Sequence, residues 1–417
     1  MLQNRSTVLF IGVHWPEPST GAGTRMLQLI NFFSKTGFRV VFASSAAETE
    51  LSYALEELDV KKEHIELNNS SFDVFISDLA PHIVVFDRFL TEEQFGWRVS
   101  EHIPNALRIL DTEDLHSLRV TRLEAFKNKI PFTIQAWLEN DTTKREVASI
   151  YRCDMSLIIS SYELSLLKDV LKIDDSIVFH LPFMMKKTSK NIIDAYPSFE
   201  ERRDFMCIGN GKHAPNIDAV KWLKTEIWPL IHQQLPESKL VIYGAYLSQQ
   251  IKEMHQPKEG FYIAGFATDL EDAFTKARIN LAPLRFGAGQ KAKLLDAMCF
   301  GTPSITTVIG VEGMTNGLAF NGIIADETAA FAKAAISLYL DKDQFLKAQQ
   351  NGYQIVANNF DTVRLSKELE TTISKILKDI KKHREFNFIG SLLRHQSLQS
   401  TKYMAKWIEE KGKIKKS

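Results

Sequence analysis

The chain has 417 residues, which is more than one hydrophobic core usually serves, so we expect two domains. Hydrophobic residues make up 44% and charged residues 24% of the chain, a composition typical of a globular protein. Lys+Arg and Asp+Glu number 51 each, so no overall charge attracts a polyanion such as nucleic acid. We therefore expect no nucleic-acid partner and only local anion sites.

The cysteines and the N-terminus indicate the compartment. Cys153, Cys207 and Cys299 are odd in number and far apart, which favours buried thiols in a reducing environment over a disulfide framework. The first residues, MLQNRSTVLFIGVHW, contain no small-residue cleavage site, and no run of about 18 apolar residues occurs anywhere. We expect a cytoplasmic protein.

Short apolar, β-rich runs alternate with helical patterns along the chain. Five lie in the first half: Val8–Gly12, Arg39–Ala43, Ile83–Phe86, Leu107–Leu110 and Met155–Ser160. Six lie in the second half: Phe205–Gly209, Leu240–Gly244, Phe261–Gly265, Ile279–Pro283, Ser304–Thr307 and Gly322–Ala325. Apolar strands separated by helices are typical of parallel sheets covered on both faces. Each half is therefore predicted to be a doubly wound α/β domain.

A polar segment without clear periodicity separates the two halves. We predict an N-terminal domain over residues 1–185, a linker over 186–203 and a C-terminal domain over 204–365. Residues 366–417 are predicted to form helices that pack back across the domains. This last segment is basic, and attachment to a membrane surface is an alternative interpretation; Glu409 and Glu410, which interrupt its basic run, favour solvated helices.

The most informative segment is INLAPLRFGAGQKAKLLDAMCFGTPSITTV, residues 279–308. A predicted strand ends at Pro283, a flexible loop follows at Gly287–Gly289, and a helix is expected to start near Gln290. Free backbone N–H groups at a helix N-terminus favour a phosphate, and small residues let it approach the backbone. The segment therefore predicts an anion site.

Charged side chains around this loop strengthen that prediction. Arg285 precedes the loop, and Lys291 and Lys293 follow it, which suits a diphosphate that departs as a leaving group. Asp296 lies about one and a half turns into the helix, within reach of ribose hydroxyls. The alternative is an ordinary Gly-rich turn followed by solvated lysines.

This segment resembles the donor-site signature of the group 1 glycosyltransferases, a retaining family. Four other stretches are similar to the family: CIGNGKHAPNIDAVKWLKTEIWPLI, KLVIYG, YIAGF followed by TDLEDAF, and TTVIGVEGM. Together they cover most of residues 204–326. The resemblance implies a GT-B fold, in which two doubly wound Rossmann-like domains face each other across a cleft. It also implies a nucleoside diphosphate sugar as co-substrate on the second domain, without a further cofactor.

The resemblance implies donor-binding roles for residues of two loops. The first loop, Gly-Asn-Gly-Lys-His, supplies Asn210 and His213, and the second supplies Gly287, Ala288, Gly289, Gln290 and Asp296. Many members carry Glu-x7-Glu here, whereas this chain has Ala288 at the first position and Asp296 at the second. Ala288 cannot supply a carboxylate near the sugar, so the identity of the donor and catalytic competence stay open.

Two clusters in the first half are candidates for the opposite side of the cleft. Gly21 and Gly23 precede a helix in HWPEPSTGAGTRM, and the resemblance implies that such a loop faces the donor diphosphate; the alternative is a plain strand-to-helix turn. The second cluster, LDTEDLHSLR, follows a strand and holds four titratable side chains in six residues: Asp111, Glu113, Asp114 and His116. The resemblance implies that a His here lies close to the reacting sugar. We predict His116 as catalytic with Arg119 as its partner, and the alternative is that Asp111 or Asp114 caps a surface helix.

Other polar residues are expected to have no catalytic part. His14, His64 and His180 are predicted to be ordinary surface or core residues. Asp341 and Asp343 form the only Asp-x-Asp sequence, and they are predicted to open a helix rather than to bind a metal. We expect no metal in the donor site.

These observations predict a hexosyltransferase-type glycosyltransferase. It would move a sugar from a nucleoside diphosphate sugar to a glycan or lipid-linked acceptor, with retention and without metal, using His116, Arg285 and Lys291 as catalytic residues. Two alternatives stay open: a nucleotide-sugar epimerase with the same fold, and a catalytically altered binding or scaffold protein, which Ala288 suggests.

Overall fold

Two parallel sheets organise the chain. The computed structural model describes residues 6–414, and of residues 396–399 and 414 only the backbone. The strands are β1 (Thr7–Gly12), β2 (Arg39–Ser44), β3 (Lys61–His64), β4 (Ile83–Asp87), β5 (Leu107–Asp111), β6 (Met155–Ile158), β7 (Val178–His180), β8 (Arg203–Ile208), β9 (Leu240–Tyr243), β10 (Phe261–Gly265), β11 (Ala277–Ala282), β12 (Ser304–Thr306) and β13 (Gly322–Ile324). The first sheet has the order β3-β2-β1-β4-β5-β6-β7 and the second β10-β9-β8-β11-β12-β13.

Helices connect the strands and cover both sheets. In the N-terminal half they are α1 (Gly21–Lys35), α2 (Ser71–Leu79), α3 (Arg88–His102), α4 (His116–Lys127), α5 (Ile134–Glu139), α6 (Asp141–Arg152) and α7 (Ser161–Ser165). From the linker onward they are α8 (Lys190–Ala195), α9 (Ala214–Trp222), α10 (Trp228–Gln234), α11 (Gln249–Lys252), α12 (Leu270–Lys276), α13 (Ala292–Cys299), α14 (Val308–Val311), α15 (Thr328–Leu340), α16 (Lys342–Asn359), α17 (Thr362–Lys378), α18 (Ile380–Phe386) and α19 (Phe388–Ile414).

Each strand of the sheet centre contributes to two cores. Along β1, Val8 and Phe10 belong to one buried cluster, and Leu9 and Ile11 belong to the cluster on the opposite face. Successive side chains of a strand point to opposite faces, so an unbroken apolar run indicates a sheet covered on both sides. The predicted α/β class with two doubly wound domains is confirmed.

The chain crosses between the domains twice, at adjacent places. The Met185 N–H donates to the Phe360 carbonyl at 2.7 Å, and the Thr362 N–H donates to the Met185 carbonyl at 3.0 Å. After this crossing, α17 adds Leu365 and Leu369 to the N-terminal core, and α19 packs on α3 and α6. The helix that returns begins at Thr362, before the predicted start at residue 366; the domain boundaries otherwise stay predictions.

The differences from the predicted elements have simple causes. Each of the eleven predicted strands overlaps an observed strand, but β3 and β7 were not predicted. Lys61–His64 is polar and lies at the edge of its sheet, and Val178–His180 has three residues, so neither carries an apolar pattern. The predicted burial of all three cysteines is confirmed. Asp341 caps α16 through its side chain, which accepts from the Gln344 N–H, as predicted.

Candidate active site

Loops at the carboxyl ends of the two sheets enclose a cavity of about 250 Å³. The N-terminal domain lines it with His14, Asp87 and Arg88 among others, and the C-terminal domain with Asn210, Lys212 and His213. Open α/β sheets bind ligands outside the carboxyl ends of their strands. The cavity is therefore in the place that the topology assigns to a ligand.

The predicted donor loop lies against the N-terminal domain. Gly287 and Gly289 have φ angles of 145° and 66°, and a Cβ on Gly289 would lie 2.8 Å from the Cβ of Asp114. Only glycine combines this backbone conformation with so close an approach. The helix behind the loop begins at Ala292, two residues after the predicted start at Gln290, because Lys291 has extended backbone angles.

Two lysines follow the loop and contact neutral oxygens. The Lys291 ammonium donates to the carbonyls of Ala288 and Gly289, at 3.2 and 2.6 Å, and burial lowers its pKa to about 8. The Lys293 ammonium donates to Oδ1 of Asn216 at 2.6 Å, and burial lowers its pKa as well. Both cations therefore lie in a region that is poor in water.

Asp296 and Arg285 have different surroundings. Asp296 is partly buried, and burial raises its pKa to about 7, so it is easily protonated in the absence of a ligand. The Arg285 guanidinium forms a two-point ion pair with Asp218, at 2.7 and 2.9 Å, and lies between the rings of Phe126 and Trp222. The charge of Arg285 is thus balanced within the protein.

Two residues of the predicted donor loop make contacts to the N-terminal half. Gln290 accepts from the Phe183 N–H at 3.2 Å and donates to the Gly313 carbonyl at 2.9 Å, so it ties the loop to the first crossover. It lines a separate cavity of about 410 Å³ beside that crossover. Ala288 packs against an apolar cluster of the N-terminal domain. Neither side chain lines the cavity that holds Asn210 and His213.

The glycine loop of the first domain faces the donor helix. A Cβ on Gly21 would lie 3.6 Å from the Cβ of Ala292, the first residue of α13. Gly23 is packed so closely on Glu17 that a Cβ would overlap the Glu17 carbonyl. Gly21 is therefore across the cleft from the donor loop, whereas Gly23 allows the loop before α1 to fold onto the helix.

His116 sits at the start of α4 and is fixed from two sides. The Glu146 carboxylate accepts from the backbone N–H groups of His116 and Ser117, at 2.9 and 3.1 Å, and so caps the helix. The Arg119 guanidinium donates to His116 Nδ1 at 2.7 Å, and Arg119 is itself paired with Asp114. Burial and the Arg119 charge lower the pKa of His116, which keeps the imidazole neutral with its proton on Nε2.

Asn210 and His213 complete the cavity from the other domain. Asn210 accepts from the Lys212 N–H through Oδ1, and its buried Nδ2 has no hydrogen-bond partner within the described part of the chain. Burial lowers the pKa of His213, and the charges of Arg119 and Asp114 act on it across the cleft. The structure therefore brings His213 and the His116 cluster to one place.

Three contacts join the domains and were not predicted. The Glu163 carboxylate accepts from the N–H groups of Gly289 and Leu115, at 2.6 and 3.2 Å, so one N–H of the donor loop is already engaged. Arg122 forms a two-point ion pair with Glu312, at 2.6 and 2.8 Å, and donates to the Gly287 carbonyl. Ligand pockets usually measure about 300–1,000 Å³. The cavity between the domains measures about 250 Å³, below this range, which is consistent with a closed arrangement of the two domains.

The sequence carried a signal for some of these residues. Glu163 follows β6, just as His116 follows β5, and the rule that ligands gather at the carboxyl ends of strands applies to both. Asp87 ends β4 and Arg88 follows it, and Arg88 has a φ of 67°, which is uncommon for a residue with a side chain. The pairing of Arg122 with Glu312 carries no such signal, because it joins residues that are far apart in sequence.

Comparison with known proteins agrees with this geometry. Residues 202–341 match the family model described as "Glycosyl transferases group 1". This part of the C-terminal domain is therefore similar to the group 1 glycosyltransferases. This confirms the family prediction made from the sequence motifs. A curated relative, the uncharacterized 44.6 kDa protein in the cps region of Klebsiella pneumoniae, is 24% identical over 165 residues. That match spans 38% of this chain and less than half of the relative, 42% of its length.

Solved structures extend the similarity of fold to most of the chain. HepE of Anabaena, solved with UDP and glucose, superposes with a TM-score of 0.65 at 14% identity, covering 88% of this chain and 99% of HepE. The pneumococcal O-GlcNAc transferase GtfA, solved with UDP and GlcNAc, gives 0.65 at 13% identity, covering 89% and 99%. Sucrose-phosphate synthase of Thermosynechococcus elongatus gives 0.66 at 15% identity, covering 90% and 100%. The predicted GT-B fold with two Rossmann-like domains is confirmed.

Within residues 6–414, none of the helices has both the length and the apolar character needed to cross a bilayer.

Proposed function

We propose that this protein transfers a sugar from a nucleoside diphosphate sugar to a glycan or lipid-linked acceptor, with retention and without a bound metal. The observation that carries the proposal is the meeting of two segments from different domains. The donor loop of the group 1 glycosyltransferase domain touches the His116 cluster, with Gly289 against Asp114. Donor and acceptor would then react between these two segments.

The donor would bind on the C-terminal side of the cleft. Lys291 and Lys293 lie close to the start of α13, where the helix N-terminus adds its own partial positive charge. A diphosphate placed there would gain two cations, and the lysines would lose little further hydration because they are already partly removed from water. Asp296 would accept hydrogen bonds from the ribose hydroxyls, and Asn210 Nδ2 would donate to the donor.

The leaving group needs stabilisation when the bond to the sugar breaks. Lys291 and Lys293 would supply it, and Arg285 would contribute less because Asp218 neutralises it. The acceptor would attack from the side on which the diphosphate leaves, as in other members of the retaining family that the sequence resembles. Neutral His116 would hold the sugar or the acceptor by a hydrogen bond from Nε2.

Donor entry would require the domains to separate. The Gly289 N–H is engaged by Glu163 of the N-terminal domain, and the cavity of about 250 Å³ is small for a nucleotide sugar. Opening would withdraw Glu163 from the donor loop and free this N–H for the diphosphate. Closure over the donor would then bring His116 back to the reacting sugar.

A thermal-shift screen tests the proposal. UDP-, GDP-, ADP- and CDP-sugars are added to the wild type and to Lys291→Ala, each with and without EDTA. A ligand that binds the folded state raises the melting temperature in proportion to the logarithm of its concentration over its dissociation constant. We expect one nucleotide sugar to stabilise the wild type, to do so in EDTA, and to fail with the variant.

Other outcomes separate the alternatives. If no nucleotide sugar stabilises the wild type at millimolar concentration, a binding or scaffold protein takes the place of the transferase. Binding followed by release of free nucleoside diphosphate without an acceptor-linked product indicates an epimerase. A Lys291→Ala variant with full transfer activity contradicts the metal-free mechanism.

A further inference from the structure

The positive charge of this neutral chain is concentrated at one end. Residues 381–417 contain ten Lys or Arg and three Glu, a net formal charge of seven positive, so the rest of the chain carries seven negative. Such asymmetry affects binding to charged surfaces more than it affects the fold. The helices α18 and α19 occupy most of this segment.

The side of α19 that faces the protein is small and polar. Among the α19 residues whose side chains the structure describes, Gly390 and Ala405 are buried, and Gly390 lies against the Tyr151 carbonyl. Lys402 pairs with Glu101 at 2.7 Å, and Glu409 accepts from the Ser70 hydroxyl at 2.6 Å. Close backbone approach and polar contacts therefore hold the helix to the N-terminal domain at these positions.

Its large apolar side chains point to solvent instead. Among the described side chains, the exposed ones are Phe388, Ile389, Leu392, Tyr403, Met404, Trp407 and Ile408. Ile389 and Trp407 are 18 residues apart, about five turns at 3.6 residues per turn, so the two ends of the helix present the same side. Phe386 on α18 is also exposed, at 76%. A surface helix normally shows the opposite arrangement, with apolar residues inward.

Exposed lysines lie on the same two helices as these apolar side chains. Lys381, Lys382, Lys406 and Lys411 are exposed, and the Lys411 ammonium lies over the Trp407 ring at 4.7 Å from its centre. Tyr and Trp concentrate at the boundary between lipid and water, and lysines beside them attract anionic headgroups. A protein partner could cover an apolar face, but it would have to bring a complementary acidic rim.

We propose that the outer face of α19 binds the surface of a membrane that contains anionic lipid. The aromatic and aliphatic side chains would enter the headgroup boundary, and the lysines would contact the anionic headgroups. The helix would lie parallel to the surface, because its apolar residues occupy one side and not the whole circumference. This proposal concerns a surface apart from the cleft and does not depend on the donor.

Vesicle sedimentation of the full chain tests it. Vesicles of phosphatidylcholine alone are compared with vesicles that contain a quarter phosphatidylglycerol, at low and high salt. We expect binding to the anionic vesicles that weakens with salt, because screening reduces attraction between charges. Tyr403→Ser with Trp407→Ser should weaken binding by roughly tenfold or more, from lost burial of apolar area. Lys406→Glu with Lys411→Glu should weaken it by about tenfold or more.

Matched variants elsewhere serve as controls. Leu340→Ser removes an apolar side chain on α15 that is 62% exposed, and Lys276→Glu reverses an exposed charge on α12; neither should change binding. Equal binding to neutral and anionic vesicles, no binding, or undiminished binding of the α19 variants overturns the proposal. Sedimentation velocity without lipid tests whether the outer face of α19 binds a second copy of the chain. A wild-type dimer that becomes a monomer in Trp407→Ser would support that occupant and contradict the proposal.

Discussion

The two sides of the cleft hold their charges differently. On the N-terminal side, Arg119 pairs with Asp114, and Arg25 pairs with the buried Asp111 at 2.9 Å. On the C-terminal side, Lys291 and Lys293 contact carbonyl and amide oxygens, and within the described part of the chain no carboxylate lies at ion-pair distance from either ammonium. The arginines of the first side are paired with carboxylates, and the two lysines of the second side are not.

This difference indicates which side receives an anion. A buried charge without a partner is costly, and it is retained where a ligand supplies the opposite charge. Lys291 and Lys293 together match the charge of a diphosphate, whereas Arg25 and Arg119 are already paired with carboxylates. In the proposed function, the diphosphate would therefore bind on the C-terminal side, and the N-terminal side would orient the sugar and the acceptor.

Removal of one unpaired cation should have the largest effect. We expect Lys293→Ala to lower kcat/KM for sugar transfer by about 10²–10³, the usual loss when one stabilising donor is removed from a transition state. Lys293→Arg should recover part of it, since the charge returns. Lys276→Ala, which removes an exposed lysine of the same domain, is the control. Equal activity of Lys293→Ala and the control would show that the diphosphate binds elsewhere.

Separation of the two sides should have the next largest effect. Arg122 and Glu312 are largely buried, with 5% and 14% of their side chains exposed, and they join the domains directly. Arg122→Ala leaves Glu312 without its partner, so we expect the ligand-free domains to open and kcat to fall about tenfold. Small-angle scattering should show a larger radius of gyration. The double variant Arg122→Ala/Glu312→Ala should resemble each single variant, and additive losses would argue against a shared contact.

Substitution of Arg119 on the N-terminal side should change the pH dependence of kcat. Burial and the Arg119 charge lower the pKa of His116, so removal of Arg119 should raise it. If neutral His116 is required, activity falls as pH drops through this pKa, and Arg119→Ala should move the acid limb of kcat to higher pH. Arg119→Lys retains a positive charge and should leave the limb near its original place. If the acid limb stays at the same pH in Arg119→Ala, protonation of His116 does not cause the loss of activity at low pH.

The strands and the donor loop could be predicted from the sequence, but the contacts between the two domains could not. Apolar runs predict buried strands because burial on both faces leaves a local pattern, and Gly287–Gly289 followed by lysines is also a local signature. Glu163 and Arg122 make their contacts across the cleft, to residues more than 120 positions away. Such pairings depend on how the two folded domains pack against each other, and the local periodicity of the sequence contains no information about that packing. Apolar residues at helical spacing in α19 did not show which side of that helix the protein covers.

The smallest expected effect concerns Glu163, which connects both sides. Burial raises the pKa of its carboxyl to about 8, above the usual 4.5. Between these values the unfolded chain has lost this proton while the folded chain retains it, so unfolding releases a proton and stability falls as pH rises. Glu163→Gln removes this dependence. The melting temperature of the wild type relative to the variant should therefore drop by about 3–6 °C from pH 5 to pH 8.

The control for that measurement is a carboxylate with the opposite shift. Glu200 is exposed and paired with Lys342, which lowers its pKa, so Glu200→Gln should not reproduce the drop. A wild type that gains stability over the variant as pH rises would mean that Glu163 is ionised in the folded protein. In that case the Glu163 carboxylate would hold the Gly289 N–H as an anion, and a donor diphosphate would have to displace a charge rather than a neutral acid.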